Sequence, residues 1–151
     1  MFKFLLCVAL IPAIALADVT FRACPDGAPT PESLAVNNCT ESSCILVPGE
    51  PLYALASGIV SPVGSDTATA YVVVRVDEVE VEYQIPREQV DACTGGIIGG
   101  CPIVAGTPFN YAVANDELII PANDFQVEIE FGLIGDGGVK LGCVRFDAYV
   151  Q

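Results

Sequence analysis

The sequence has no histidine and no tryptophan, and only six of its 151 residues are lysine or arginine, against nineteen aspartates and glutamates. Without histidine it lacks the most common general base and the side chain that switches charge between about pH 5 and 8. The net charge of −13 argues against a nucleic acid partner, because phosphate contacts need lysine and arginine. The same charge opposes attachment to anionic membranes, so we expect at most transient membrane contact.

The motifs of catalysis and metal binding are missing as well. No serine lies in a Gly-x-Ser-x-Gly motif, and no segment has the ligand pattern of an EF-hand. The pairs Glu80/Glu82 and Glu128/Glu130 could be a glycosidase pair, but their alternation with apolar residues indicates a solvated strand face. We therefore predict that the protein is not an enzyme and uses no metal or cofactor.

Long apolar runs are absent from residues 18–151, where no segment approaches the roughly 18 apolar residues of a membrane span. Yet 52% of the sequence is hydrophobic. This apolar content must line a core, a cavity or an interface.

The N-terminal residues have a different pattern. Lys3 precedes an apolar stretch that ends in Ala15-Leu16-Ala17, which is typical of a signal peptide with a small-residue cleavage site. The sequence thus predicts a signal peptide over residues 1–17 and one domain over residues 18–151. We expect secretion into an extracellular fluid, with the lysosomal lumen as the alternative.

Six cysteines remain in residues 18–151, and in a secreted chain an even number indicates a disulfide framework. Cys39 lies close to Cys44 in the sequence, and Cys93 lies close to Cys101. Spacing does not fix the connectivity, but it suggests two small loops and leaves Cys24 for Cys143.

Apolar and polar residues alternate with a period of two in the clearest segments, as in half-buried β-strands. The apolar positions of these segments are Val72, Val74 and Val76; Val79, Val81, Tyr83 and Ile85; Phe125, Val127, Ile129 and Phe131; and Val144, Phe146, Ala148 and Val150. Asp77-Glu78 and the glycine-rich residues 135–138 supply the turns of two hairpins.

Weaker strand patterns complete the prediction of an all-β fold. They lie at residues 19–21, 34–36, 45–47, 52–60 and 107–113. Short strands with frequent turns predict a β-sandwich of two antiparallel sheets. Composition does not decide whether the inward faces close into a core or leave an apolar cavity.

Asn38 begins the sequence Asn38-Cys39-Thr40, which fits the acceptor motif for N-glycosylation. A disulfide at Cys39 would hinder the transferase. Asn38 is therefore a candidate glycosylation site.

The cysteine layout and its surroundings resemble the ML lipid-recognition domain, a family that includes the soluble Niemann-Pick type C sterol carrier, the group-two mite allergens and the lipid-binding co-receptor of endotoxin signalling. Among its branches the sequence is most similar to arthropod members. The matching pieces are residues 19–24, Cys39 to Cys44 followed by Gly49, residues 79–86 leading to Cys93, Cys101-Pro102 followed by residues 106–111, and residues 135–138 leading to Cys143.

The resemblance implies an immunoglobulin-like sandwich with an apolar cavity between the sheets and the pairs Cys24–Cys143, Cys39–Cys44 and Cys93–Cys101. The ligand-binding residues carried over by position are Val72, Val74, Val76, Val81 and Tyr83 on one wall, Val127, Ile129, Phe131, Val144 and Phe146 on the other, and Leu118, Ile119, Ile120 and Pro121 near the entrance. Tyr83 stands where the sterol carrier has phenylalanine, and a tyrosine there can hydrogen-bond a lipid head group.

Together these observations predict a secreted, monomeric carrier of a hydrophobic small molecule, namely a sterol, a fatty acid or a volatile semiochemical. Such a carrier could hand its cargo to a membrane transporter or receptor. The alternative is an innate-immune module that presents a lipid to a receptor. A hydrolase is the least favoured class.

Overall fold

The computed structural model describes residues 16–151, and the predicted signal peptide therefore lies outside the described residues except for Leu16 and Ala17. The strands are β1 (Leu16–Asp18), β2 (Arg22–Ala23), β3 (Ser33–Asn37), β4 (Ile45–Leu46), β5 (Leu52–Ile59), β6 (Thr69–Val76), β7 (Val79–Glu82), β8 (Phe109–Asn115), β9 (Phe125–Ile134) and β10 (Lys140–Val150). Two helices of four residues each, α1 (Arg87–Val90) and α2 (Ala92–Gly95), lie between β7 and β8.

The strands form two sheets that face each other, which confirms the predicted all-β, immunoglobulin-like sandwich. The four-stranded sheet has the order β1-β3-β5-β8, and the six-stranded sheet has the order β2-β10-β9-β6-β7 with β4 also paired to β10. All pairs are antiparallel except β4 with β10. The two predicted hairpins join β6 to β7 and β9 to β10.

Alternation along β6, β9 and β10 places apolar side chains between the sheets and charged side chains outside. In β9, Val127, Ile129 and Phe131 are buried, and in register they lie opposite Ala148, Phe146 and Val144 of β10. This pairing stacks two apolar rows on the same inner face.

Three disulfides close the fold: Cys24–Cys143, Cys39–Cys44 and Cys93–Cys101. These are the pairs that the spacing suggested and the resemblance implied. The first joins residues 119 positions apart, so it removes the most chain entropy from the unfolded state.

Two expectations about local structure are wrong. The strand predicted at residues 19–21 is absent, because the chain pairs with β3 earlier, at Leu16–Asp18, and pairs with β10 later, at Arg22–Ala23. The apolar face of β7 is also not buried: Val79 is 63% exposed and Val81 is 54% exposed. Strand β7 lies at the edge of its sheet, where it has a strand neighbour on one side.

The outer face of the six-stranded sheet carries four of the cationic residues, and each is ion-paired. Arg22 contacts Asp147 and Glu128, Arg75 contacts Glu80 at 2.6 Å, Arg145 contacts Glu130 at 2.7 Å, and Lys140 contacts Asp26. The predicted solvated face of Glu128 and Glu130 is thus an ion-pair network. Burial opposes ionisation of Glu130, but hydrogen bonds from Arg145 and Tyr71 and the charges of Arg145 and Arg75 outweigh it and lower the pKa of its carboxyl group.

Candidate lipid-binding cavity

An apolar cavity of about 570 Å³ lies between the two sheets, within the usual size range of small-molecule sites. Most of its lining side chains are aliphatic or aromatic. The lining residues are Leu46, Leu52, Val72, Val74, Val76, Val81, Glu82, Tyr83, Gln84, Ile85, Pro86, Gln89, Tyr111, Val113, Ala114, Asn115, Leu118, Ile119, Ile120, Pro121, Phe125, Val127, Ile129 and Val150.

The first wall of the cavity comes from the inner face of the six-stranded sheet. Val72 and Val74 of β6 alternate with outward-facing residues and lie in register opposite Phe131 and Ile129 of β9. Valine favours strands and packs well on a pleated surface. The branched side chains therefore form a continuous but shallow apolar wall.

The second wall comes from β5 and β8 of the four-stranded sheet, and the sequence did not identify it. Leu52, Tyr111 and Val113 line this side, and Leu46 of β4, in the six-stranded sheet, also lines the cavity. The alternation of Phe109, Tyr111 and Val113 in β8 was the available signal. Burial raises the pKa of Tyr111 to about 12, so its phenol is neutral throughout the physiological range.

Not all of the predicted binding residues reach the cavity. The structure brings together around it Val72, Val74, Val76, Val81, Tyr83, Leu118, Ile119, Ile120, Pro121, Val127 and Ile129. Phe131, Val144 and Phe146 instead belong to the closed core, where each is at most 5% exposed. The rings of Phe131 and Phe146 pack edge to face at 6.4 Å between centroids. Here the rings fill the space between the sheets, which stays open at the cavity.

The cavity reaches the surface at a mouth, which we define by its exposed lining residues Val81, Glu82, Gln84, Ile119 and Pro121. Ile119 has the highest exposure, 77%, of the large apolar side chains that the structure describes. An exposed apolar rim beside an apolar cavity is typical of a ligand entrance.

Tyr83 ties the two sides of this mouth together. Its hydroxyl accepts hydrogen bonds from the Asn115 side-chain nitrogen and from the Ile119 backbone nitrogen, each at 3.0 Å. A phenol offers one donor and two acceptor sites. The two acceptor sites are therefore used within the chain, and the O–H proton remains for a ligand oxygen.

The polar lining is small and, within the described part of the chain, includes no lysine or arginine. It consists of Glu82, Gln84, Gln89 and Asn115 together with the hydroxyls of the two tyrosines. The Gln89 side-chain oxygen accepts a hydrogen bond from the Ala114 backbone at 3.2 Å. This side chain is therefore held in place by β8, and its amide N–H groups remain free to donate.

A second recess, of about 530 Å³, lies on the outer face of the six-stranded sheet. Its lining includes Arg75, Asp77, Glu128 and Asp147, and Arg75 is ion-paired with Glu128. Arg75, Glu128 and Asp147 of this recess are already ion-paired, and its charged lining contrasts with the apolar cavity.

Two other predicted features can be placed. Asn38 is exposed and follows β3 with φ of 55°, and its glycosylation stays a prediction. Among residues 16–151, Cys24, Glu130 and Cys143 are the one group of potential metal ligands that lie together. Because the two cysteines form a disulfide, they offer no thiolate, and the group does not fit a metal ion. In the same part of the chain, every helix is too short to cross a membrane.

Comparison with known proteins identifies the family. The fold is similar to that of a Niemann-Pick type C2 protein from the Japanese carpenter ant, with a TM-score of 0.72 and 16% identity over 87% of this chain and 99% of that chain. The sporulation control protein Spo0M from Bacillus subtilis is a weaker match, with a TM-score of 0.44 and 15% identity over 83% of this chain and 50% of that chain. No sequence among the curated proteins matches this one. The family model of the ML domain matches residues 18–150, and the chain therefore belongs to the ML domain family.

Proposed function

We propose that the protein is a secreted carrier that holds one lipid molecule in the cavity between its sheets. The observation that carries this proposal is the apolar cavity of about 570 Å³, which opens at a mouth that includes the exposed apolar residues Val81, Ile119 and Pro121. Membership of the ML domain family supports lipid binding in general. A buried CH₂ group contributes about 0.8 kcal/mol, so an acyl chain or a sterol ring system gains enough from burial to bind without strong polar contacts.

The carrier acts by binding and release, without making or breaking covalent bonds. Tyr83 directly follows the edge strand β7, and the two hydrogen bonds to its hydroxyl hold this end of the strand to the opposite side of the mouth. Net hydrogen bonds of this kind contribute only about 1 kcal/mol each. Separation of β7 from residues 116–124 is therefore the movement that we propose for loading and unloading.

Native mass spectrometry of the secreted protein tests this function. The protein is offered cholesterol, hexadecanol and hexadecanoic acid in equal amounts. A complex of one protein with one lipid supports the carrier, and the absence of any lipid complex contradicts it. The mass in the same spectrum tests the predicted cleavage site, because cleavage after Ala17 gives a mature protein that begins at Asp18.

A further inference from the structure

We infer that the cavity takes lipids with an uncharged polar end, such as a hydroxyl, carbonyl or ester group, and rejects an ionised carboxylate. This inference rests on the proposed function and adds the chemical class of the ligand. It follows from the charges and hydrogen-bonding groups that surround the cavity.

The described lining of the cavity offers no positive charge to a bound anion. Among residues 16–151, no lysine or arginine lines the cavity, and Glu82 is the one acidic residue that does. Glu82 is an exposed residue of the mouth, and its carboxylate would repel a bound carboxylate instead of pairing with it. An ion in an apolar site needs a partner of opposite charge, and a bound carboxylate would have none here.

Four cations lie on the outer face of the six-stranded sheet, away from the cavity. Arg22, Arg75, Arg145 and Lys140 form ion pairs on the outer face of the six-stranded sheet. Arg75 alternates with Val74 and Val76 of the cavity wall, so the sheet itself separates its guanidinium from the cavity.

Arg87 is the remaining cation of residues 16–151. Arg87 opens α1, next to the lining residue Pro86, but it is exposed and does not line the cavity. It is followed at once by Glu88. Arg87 is therefore the one cation in this part of the chain that lies beside the cavity lining and could pair with a bound carboxylate.

The hydrogen-bond donors that face a ligand in the cavity are uncharged. The Tyr83 O–H and the Gln89 amide can donate to a ligand oxygen, and the Gln84 amide can donate or accept. These neutral groups match a hydroxyl, a ketone or an ester. Desolvation of a neutral oxygen is far less costly than desolvation of a carboxylate.

The surrounding charge acts in the same direction. Asp116 and Glu117 lie between the lining residues Asn115 and Leu118, and the whole chain has a net charge of −13. A negative surface repels an approaching anion and slows its association.

Displacement of a neutral fluorescent lipid by hexadecanol, methyl hexadecanoate and hexadecanoic acid tests the inference. At about pH 8 the acid is ionised, and we expect it to bind at least tenfold more weakly than the alcohol and the ester. At about pH 5 the difference should shrink, because the protonated acid is neutral. Equal binding of acid and alcohol at the higher pH overturns the inference while leaving the carrier function intact, whereas binding of none of the three contradicts the carrier function itself.

Three variants sharpen this test. Arg87→Gln should leave hexadecanoate binding unchanged, and a tenfold loss would assign the carboxylate to Arg87 and overturn the inference. Val81→Lys places a cation at the mouth and should strengthen hexadecanoate binding about tenfold relative to the alcohol. Val79→Lys is the matched control: it lies on the same edge strand, is exposed and does not line the cavity. An equal gain in both lysine variants would show a general charge effect and contradict the proposed selection at the cavity.

Discussion

The space between the sheets is filled at one end and open at the other, although β9 runs through both. At the filled end, Phe131 packs against Phe146 and lies 6.3 Å from Tyr111, measured between ring centroids. At the open end, the same strand offers Val127 and Ile129 to the cavity, and Ile129 lies opposite Val74 of β6. The inner side chains of β9 are apolar at both ends, but the Phe131 ring fills the closed end, whereas Val127 and Ile129 border the cavity.

The largest effect should come from emptying the filled end. Phe131→Ala removes a ring that is 5% exposed, and we expect it to lower the free energy of unfolding by about 3–5 kcal/mol. Val74→Ala, at the open end, should cost about 1 kcal/mol or less, because Val74 already borders empty space. Chemical denaturation of both variants measures the difference, and equal losses would remove the distinction between core and cavity.

A second prediction separates the inner face of the six-stranded sheet from its outer face. Because the pKa of Glu130 is lowered from its ordinary value of 4.5 in the folded state, its contribution to stability is complete above that pH and is lost as the pH falls below it. Glu130→Gln should lower the free energy of unfolding at neutral pH by about 2 kcal/mol and make unfolding less dependent on acid.

Lipid binding by Glu130→Gln should be unchanged, since the carboxylate faces away from the cavity. Glu78→Gln, at the exposed β6–β7 turn, is the matched control and should change neither property. An acid unfolding profile of Glu130→Gln that matches the wild type would contradict the role of this carboxylate.

The third prediction fills the open end. Val113→Phe places a ring in the cavity, as Phe131 does at the closed end, and should weaken lipid binding by tenfold or more, or about 1.4 kcal/mol, without loss of stability. Val139→Phe makes the same chemical change at a residue that is 45% exposed and does not line the cavity. Binding isotherms for the two variants should differ, and identical isotherms would exclude this cavity as the binding site.

The smallest effect is expected at the mouth. Tyr83→Phe keeps the ring but removes the acceptor of the two 3.0 Å hydrogen bonds. We expect lipid release to become faster by roughly fivefold, about 1 kcal/mol, with a smaller change in stability than at Phe131. Stopped-flow release of a fluorescent lipid measures this change, and an unchanged release rate would separate these bonds from the opening movement.

Strands with a strong alternation of apolar and polar residues could be predicted from the sequence. Elements whose formation depends on tertiary contacts could not. The period of two along β6, β9 and β10 gave their inner faces correctly, because a strand against a core must alternate. The helices α1 and α2 have four residues each, too few for a helical period to appear. The strand expected at residues 19–21 failed because apolar residues there do not reveal which partner strand is within reach.

The cavity could be expected from the family resemblance but not from the residues alone. In the sequence, Val74 and Phe131 both occupy inward positions of an alternating strand. In the structure, Val74 borders the cavity and Phe131 packs in the closed core. Edge strand β7 shows the same limit: its valines alternate like buried ones, but Val79 and Val81 are more than half exposed. Such outcomes depend on how far the sheets separate, which no single strand determines.

A crystal structure of the protein with hexadecanol tests the central claim most directly. The account predicts one lipid between the sheets, with its chain against Val74, Val113 and Ile129 and its hydroxyl within hydrogen-bond distance of Tyr83 or Gln89. A lipid in the charged recess beside Arg75, or a cavity that stays empty while the lipid binds elsewhere, would contradict it.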